Sequence, residues 1–168
     1  MIQIGQTYAT IAEPIEHLLA CHRRIEERLA VLARAADHLH DDRKHALEAI
    51  AKSMDFLETS GALHTLDEED SLFVRLWPHL SMQEANYLDL LERQHDEIES
   101  VFAKLKEVVG LLPEAPGREA EYRRLADQLT GLYRSHIQSE DEVLTPLSRR
   151  LLDADQLKEI SDEMYKRR

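Results

Sequence analysis

Four blocks of this chain carry apolar residues at alternating steps of three and four, the rhythm of one face of a helix. Ile15, Leu18, His22, Ile25, Leu29 and Leu32 make the first. Ile50, Met54, Leu57, Gly61, His64 and Glu68 make the second, which passes to Leu72 and Leu76 after a slight shift. Leu88, Leu91, His95, Ile98, Phe102, Leu105, Val109 and Leu112 make the third. Tyr122, Leu125, Leu129, Leu132, His136, Glu140, Val143 and Leu147 make the fourth. Four amphipathic helices must bury four faces against one another, which predicts an all-α, antiparallel up-down four-helix bundle.

The breaks between blocks are short: HDDR at 40–43, WPHLS at 77–81 and LPEAPGR at 112–118. Short connections make consecutive helices antiparallel neighbours. Ser81 and Glu84 have capping-box spacing, and Asp41 or Asp42 is placed to cap the second helix. Pro146 falls inside the fourth stripe, where its missing N–H leaves the Glu142 carbonyl without a donor and should loosen the helix. Residues 153–168 predict a short extra helix, acidic early and basic late, as the helix dipole favours. The 168 residues read as one domain, the bundle at about 12–151 and the extension at 153–168.

The chain repeats itself. HRRIEERLAVL from His22 aligns with HDEIESVFAKL from His95, and HTLDEEDSLF from His64 aligns with HIQSEDEVLT from His136. The offsets are 73 and 72 residues, so a helical hairpin is doubled about a pseudo-two-fold axis along the bundle. Each consecutive pair of these histidines is equidistant from the turn between its helices, which puts all four at one height. A glutamate follows each by four residues: Glu26, Glu68, Glu99 and Glu140. That spacing puts imidazole and carboxylate on one face, about 6 Å apart at Cβ.

Burying such groups without partners costs on the order of 2–7 kcal/mol for each polar group, and more for each charge. Facing carboxylates need shared protons, paired cations or metal, and metal also accounts for the histidines. The candidate ligands are therefore His22, His64, Glu68, His95, His136 and Glu140. Glu26 and Glu99 are possible additional ligands or ordinary solvated helix residues. Nitrogen and oxygen ligands without thiolate suit iron, manganese or zinc, and bridging carboxylates in a bundle favour iron. Cys21 is rotated about 100° from His22 and is not counted as a ligand. Ferritin-like bundles use two Glu-x-x-His motifs, whereas this chain has one, Glu92 to His95.

These residues resemble the hemerythrin-like, or HHE cation-binding, family over about residues 12–150. HTLDEEDSLF is close to the family pattern H-H-x-x-E-E-x-x-L-F, and HIQSEDEVLTP to H-x-x-x-E-E-x-x-x-x-P. The resemblance implies ligation by His22, His64, His95 and His136, with Glu68 and Glu140 bridging two irons per chain, carboxylate- and oxo-bridged. Thr65 stands where many members have a second histidine, and Glu99 where the oxygen carriers have an extra histidine ligand. The second departure speaks against reversible oxygen carriage by the same coordination and toward oxidation. In the carriers the fourth-helix bridge follows its histidine by five, which would select Asp141. An offset of five is about 140° around the helix, which favours Glu140.

The implied function is a non-heme di-iron protein that binds or responds to O2, NO, peroxide or iron. One alternative is a di-iron enzyme that removes peroxide or NO or repairs iron-sulfur centres. The repair proteins of the family carry a further cysteine-bearing N-terminal region, which these residues lack. Another alternative is a metal-free helical interaction module with a pH-sensitive histidine layer. Tyr133, one turn before His136, is a pocket hydrogen-bonder, an electron donor or a packed core residue. His17, His38, His40, His45 and His79 are expected in solvent.

A net charge of −12 repels phosphate backbones and the basic residues are scattered among acidic ones, so nucleic acid is not expected as a partner. No stretch approaches the roughly 20 apolar residues of a membrane span, and the opening residues lack a secretion signal. With one cysteine, the expected compartment is the cytoplasm.

Overall fold

The computed structural model describes residues 13–168. The expected bundle start near residue 12 and the opening residues read above as untargeted lie outside the described residues. Helix α1 (Pro14–His38) begins on a proline, whose missing N–H is harmless in a first turn. Rod α2 (43–76) is α-helical over Arg43–Phe56, Ala62–Asp67 and Val74–Leu76. Between those parts run π-helical turns at Leu57–Gly61 and Glu68–Phe73. Helix α3 (Met82–Leu111) starts in the expected capping box of Ser81 and Glu84. Rod α4 (119–151) joins Glu119–Ser139 to Thr145–Leu151 through a π-helical turn, Glu140–Leu144. Helix α5 (Ala154–Lys166) opens with a second capping box, Asp153 with Gln156.

The order is all-α, with α1 packed against α2 and α4, α3 against α4 and α2, and α5 against α1 and α2. Asp42 is the N-cap of α2 but its side chain makes no cap bond; it accepts from His45 instead.

The π turns explain where the apolar stripes slip. A π turn bonds i to i+5 and so accommodates one extra residue. In α4 the Thr145 N–H reaches back to the Glu140 carbonyl, and the core position moves from the expected Val143, which is 42% exposed, to Leu144, which is 3% exposed. The loosening expected at Pro146 takes this form, with the proline in the first turn of the segment that follows. In α3, Val101 and Val108 are buried more deeply than the expected Phe102 and Val109. Both sets satisfy three-four alternation and share a broad helix face, so the neighbouring helices decide between them.

The core lies in two apolar parts. One gathers Ile25, Leu29, Leu32, Ile50, Leu105, Tyr122 and Leu129. The other gathers Leu18, Leu72, Phe73, Leu76, Leu88 and Leu144 with Ile160 and Met164 of α5. The extension is thus part of the core. Its end is tied down by Arg167 and Arg168, which both donate to the fully buried carboxylate of Asp67.

Candidate metal centre

Each of the four long helices brings one imidazole to the same level of the bundle. The His22 and His64 ring centroids are 4.8 Å apart, and those of His95 and His136 are 4.4 Å apart. Glu68 and Glu140 follow their histidines by one turn on α2 and α4 and are buried between the two pairs. Two groups result, His22, His64, Glu68 and Glu140, and Glu68, His95, His136 and Glu140, each with ligand atoms within 4.8 Å of one another.

Both carboxylates belong to both groups, and each divides its oxygens between them. Glu68 Oε1 lies 3.3 Å from His64 Nε2 and 3.8 Å from His22 Nε2, while Oε2 lies 3.3 Å from His95 Nε2. Glu140 Oε2 lies 3.1 Å from His22 Nε2, and Oε1 lies 3.2 Å from His136 Nε2.

None of these contacts has hydrogen-bond geometry. The four Nε2 atoms and the four carboxylate oxygens are all buried without a hydrogen-bond partner among the described residues. At about 1–3 kcal/mol for each unsatisfied group, the total is on the order of 10 kcal/mol. A typical domain is stable by about 5–15 kcal/mol. The donor set therefore fits a pair of cations: two imidazole nitrogens and two carboxylate oxygens for each.

Three of the four outward ring nitrogens are held by other side chains. His22 Nδ1 donates to Asp141 at 2.8 Å, His95 Nδ1 to Glu69 at 2.7 Å and His136 Nδ1 to Gln94 at 3.0 Å. Such partners fix the tautomer that leaves Nε2 free for a cation. The sequence reading missed these three. The signal was in the repeat itself, where an acid directly follows each shared glutamate, as Glu69 and Asp141. Asp141, the alternative bridge, thus serves His22 from the next position.

Without a cation, the buried imidazoles and carboxylates shift one another's protonation. Burial opposes charging of His22, but Glu140 and Glu68 against it raise its pKa to about 11. Burial likewise opposes charging of His95, and Glu68 and Glu69 raise it to about 10. Burial lowers His64. Burial pushes Glu68 up, but the imidazoles of His64, His22 and His95 hold it well below the usual carboxylate range. Glu140 is lowered too: His136 and His22 outweigh its burial and the charge of Glu68.

The other candidates lie apart. Glu26 and Glu99 are exposed and belong to neither group, so each group has two imidazoles. The extra carboxylate that would have steered the site toward oxidation is not among the grouped residues. Cys21 is a buried free thiol packed in the apolar core, and Tyr133 packs against the same core. His38, His40, His45 and His79 are exposed as expected. His17 is not: it is half-buried, with no partner for its Nε2 among the described residues, because α5 covers this side of α1. Burial first, then the charge of Arg168, lowers its pKa to about 4.

Two cavities reach the centre at His22. A cavity of about 10 Å³ lies between Ile15, Leu18, Leu72 and Leu144 and touches His22, Glu68 and Glu140. That is near the minimum for one water-sized molecule. A wider one of about 400 Å³ opens between α1 and α4, lined by Arg23, Glu26, Arg134, Asp141 and Glu142. Among the described residues, no helix is long and apolar enough to cross a membrane.

The chain is 30% identical to an uncharacterized protein of Haemophilus influenzae, over 97% of this chain and 94% of that protein. It is 27% identical to the iron-sulfur cluster repair protein YtfE of Cronobacter sakazakii, and 25% identical to that of Citrobacter koseri. Each match covers 82% of this chain and 66% of the repair protein, so the chain spans just under two thirds of their length. The model of the hemerythrin HHE cation binding domain matches residues 13–148, which take in all four histidines and both shared glutamates. Fold, doubled motif and match agree, and the chain belongs to the hemerythrin HHE cation-binding family.

Proposed function

We propose that these 168 residues act as one hemerythrin-like domain, a non-heme di-iron protein of the cytoplasm that binds or responds to O2, NO or peroxide. His22 and His64 would hold one iron and His95 and His136 the other, with Glu68 and Glu140 bridging. The supporting observation is the division of each glutamate's two oxygens between two histidine pairs. Iron, once bound, supplies a redox-active centre for a small oxidant or radical. The chain's own residues set what reaches it. Ile15, Leu18, Leu72 and Leu144, with Thr145 and Ser148, close the inner cavity down to a size that selects a molecule of a few atoms. Asp141 and Glu69 hold His22 and His95 in register from the outside.

The test is metal uptake by the His64→Ala, His136→Ala double variant. One imidazole is then missing from each half, and stoichiometric iron binding should be lost. Uptake equal to that of the unaltered protein would refute the assignment.

A second reading, repair of iron-sulfur centres, is favoured by the similarity to two proteins named for that activity. It requires iron to leave the centre for an acceptor cluster. Transfer of labelled iron from the loaded protein to a damaged cluster, above the rate from free iron, would support it.

A further inference from the structure

The repeat that gathers four imidazoles is broken beside one of them. His22, His95 and His136 each have a protein acceptor at Nδ1, whereas His64 Nδ1 is buried with none, sulfur included, among the described residues. Asp141 and Glu69 are counterparts in the repeat. The counterpart of Gln94, directly before His95, is Cys21, directly before His22. Gln94 reaches His136; the shorter Cys21 side chain is buried in the apolar core and does not serve His64. One turn away the break continues, because the counterpart of Tyr133 is Gly61. The Tyr133 hydroxyl lies 3.6 Å from where a Cβ on Gly61 would stand, so the tyrosine fills that room.

An imidazole presents its Nε2 lone pair to a cation only as the Nδ1–H tautomer. His136 in that tautomer donates to Gln94 and is set for the cation in advance. His64 in that tautomer buries an N–H with no acceptor among the described residues, a cost that His136 does not meet. Cation binding thus works against His64 and with His136.

Resting on the metal-centre reading above, we infer that the two halves take up cations unequally. The half with His95 and His136 fills first and holds its cation more tightly. The half with His22 and His64 is labile. Gln94 is the positioning residue that sets the order, acting through His136. Outer partners of this kind are worth about 10–100-fold in metal affinity.

The experiment is an anaerobic titration of metal-free protein with cobalt(II), in competition with a chromophoric chelator. Repulsion between two cations separates the binding steps in any case, so variants must assign them. His64→Ala should leave the tighter step within a few-fold, and His136→Ala should remove it. Gln94→Met, which keeps length but removes the acceptor, should weaken the tighter step about 10–100-fold, and Gln94→Glu should restore it. Restoration by Gln94→Glu separates positioning from a packing defect. A tighter step that His64→Ala weakens as much as His136→Ala does, or that Gln94→Met leaves unchanged, overturns the inference while two-cation binding stands. No uptake of cobalt(II) at all overturns the metal-centre reading, and this inference with it.

Discussion

Asp67 directly precedes the shared Glu68, is fully buried, and accepts from Arg167 at 3.0 Å and from Arg168. Arg167 also donates to Ser71 Oγ at 2.8 Å. Removing both arginines by Arg167→Ala, Arg168→Ala would leave a buried carboxylate with no cation against it. Breaking a buried pair by removing one partner costs about 3–5 kcal/mol. The arginine side chains are 21% and 14% exposed, so part of the pairing is screened and the lower end of that range applies, about 3 kcal/mol. For a chain of this size, 1 kcal/mol is about 2–4 °C in Tm, and the double variant should melt roughly 6–12 °C lower. The assay is calorimetry of the metal-free protein at neutral pH. Asp67→Asn in the same background removes the stranded charge and should return at least half of the loss. A fall of under about 2 °C, or no recovery with Asp67→Asn, would refute the view that this triad fastens α5 to the bundle.

The remaining expectations follow from the same geometry. Leu144→Ala should cost about 2–5 kcal/mol, whereas Val143→Ala should stay within about 0.5 kcal/mol; equal effects in chemical denaturation would deny the π turn in α4. His22 and His95, raised to about 11 and about 10, carry protons at neutral pH in the metal-free protein. Cation uptake must displace them, so affinity should rise with pH, and calorimetry in buffers of different ionisation enthalpy should show proton release. Both folded-state values lie above the usual histidine range, so this pairing stabilises the metal-free fold fully below about pH 6.5 and is lost as pH rises through about 10–11. A metal-free protein whose stability is indifferent to pH between 8 and about 11 would contradict it.

The four histidines were legible because their type and spacing survive any reasonable packing: three-four alternation fixes the face, and distance from each turn fixes the height. Glu68 and Glu140 were legible for the same reason. Glu26 and Glu99 have the same offset but face solvent, so the offset alone did not separate them from Glu68 and Glu140. Leu144 was misplaced because a helix with 3.6 residues per turn was assumed where a π turn follows the glutamate. His17 was misjudged because its environment is made by α5 and Arg168, more than a hundred residues away. The contrast between Gln94 and Cys21 was visible in the aligned repeats, but only side-chain reach gives it meaning.

Iron content tests the central claim most directly. The metal-free protein is supplied with ferrous iron without air, desalted, analysed for metal per chain, and followed optically as air is admitted. Close to two irons per chain, with charge-transfer absorption rising in the near ultraviolet, is the expected result. Protein that retains no stoichiometric iron, with a Tm that chelator leaves unmoved, would contradict the account and leave the histidine layer as the polar core of a metal-free bundle.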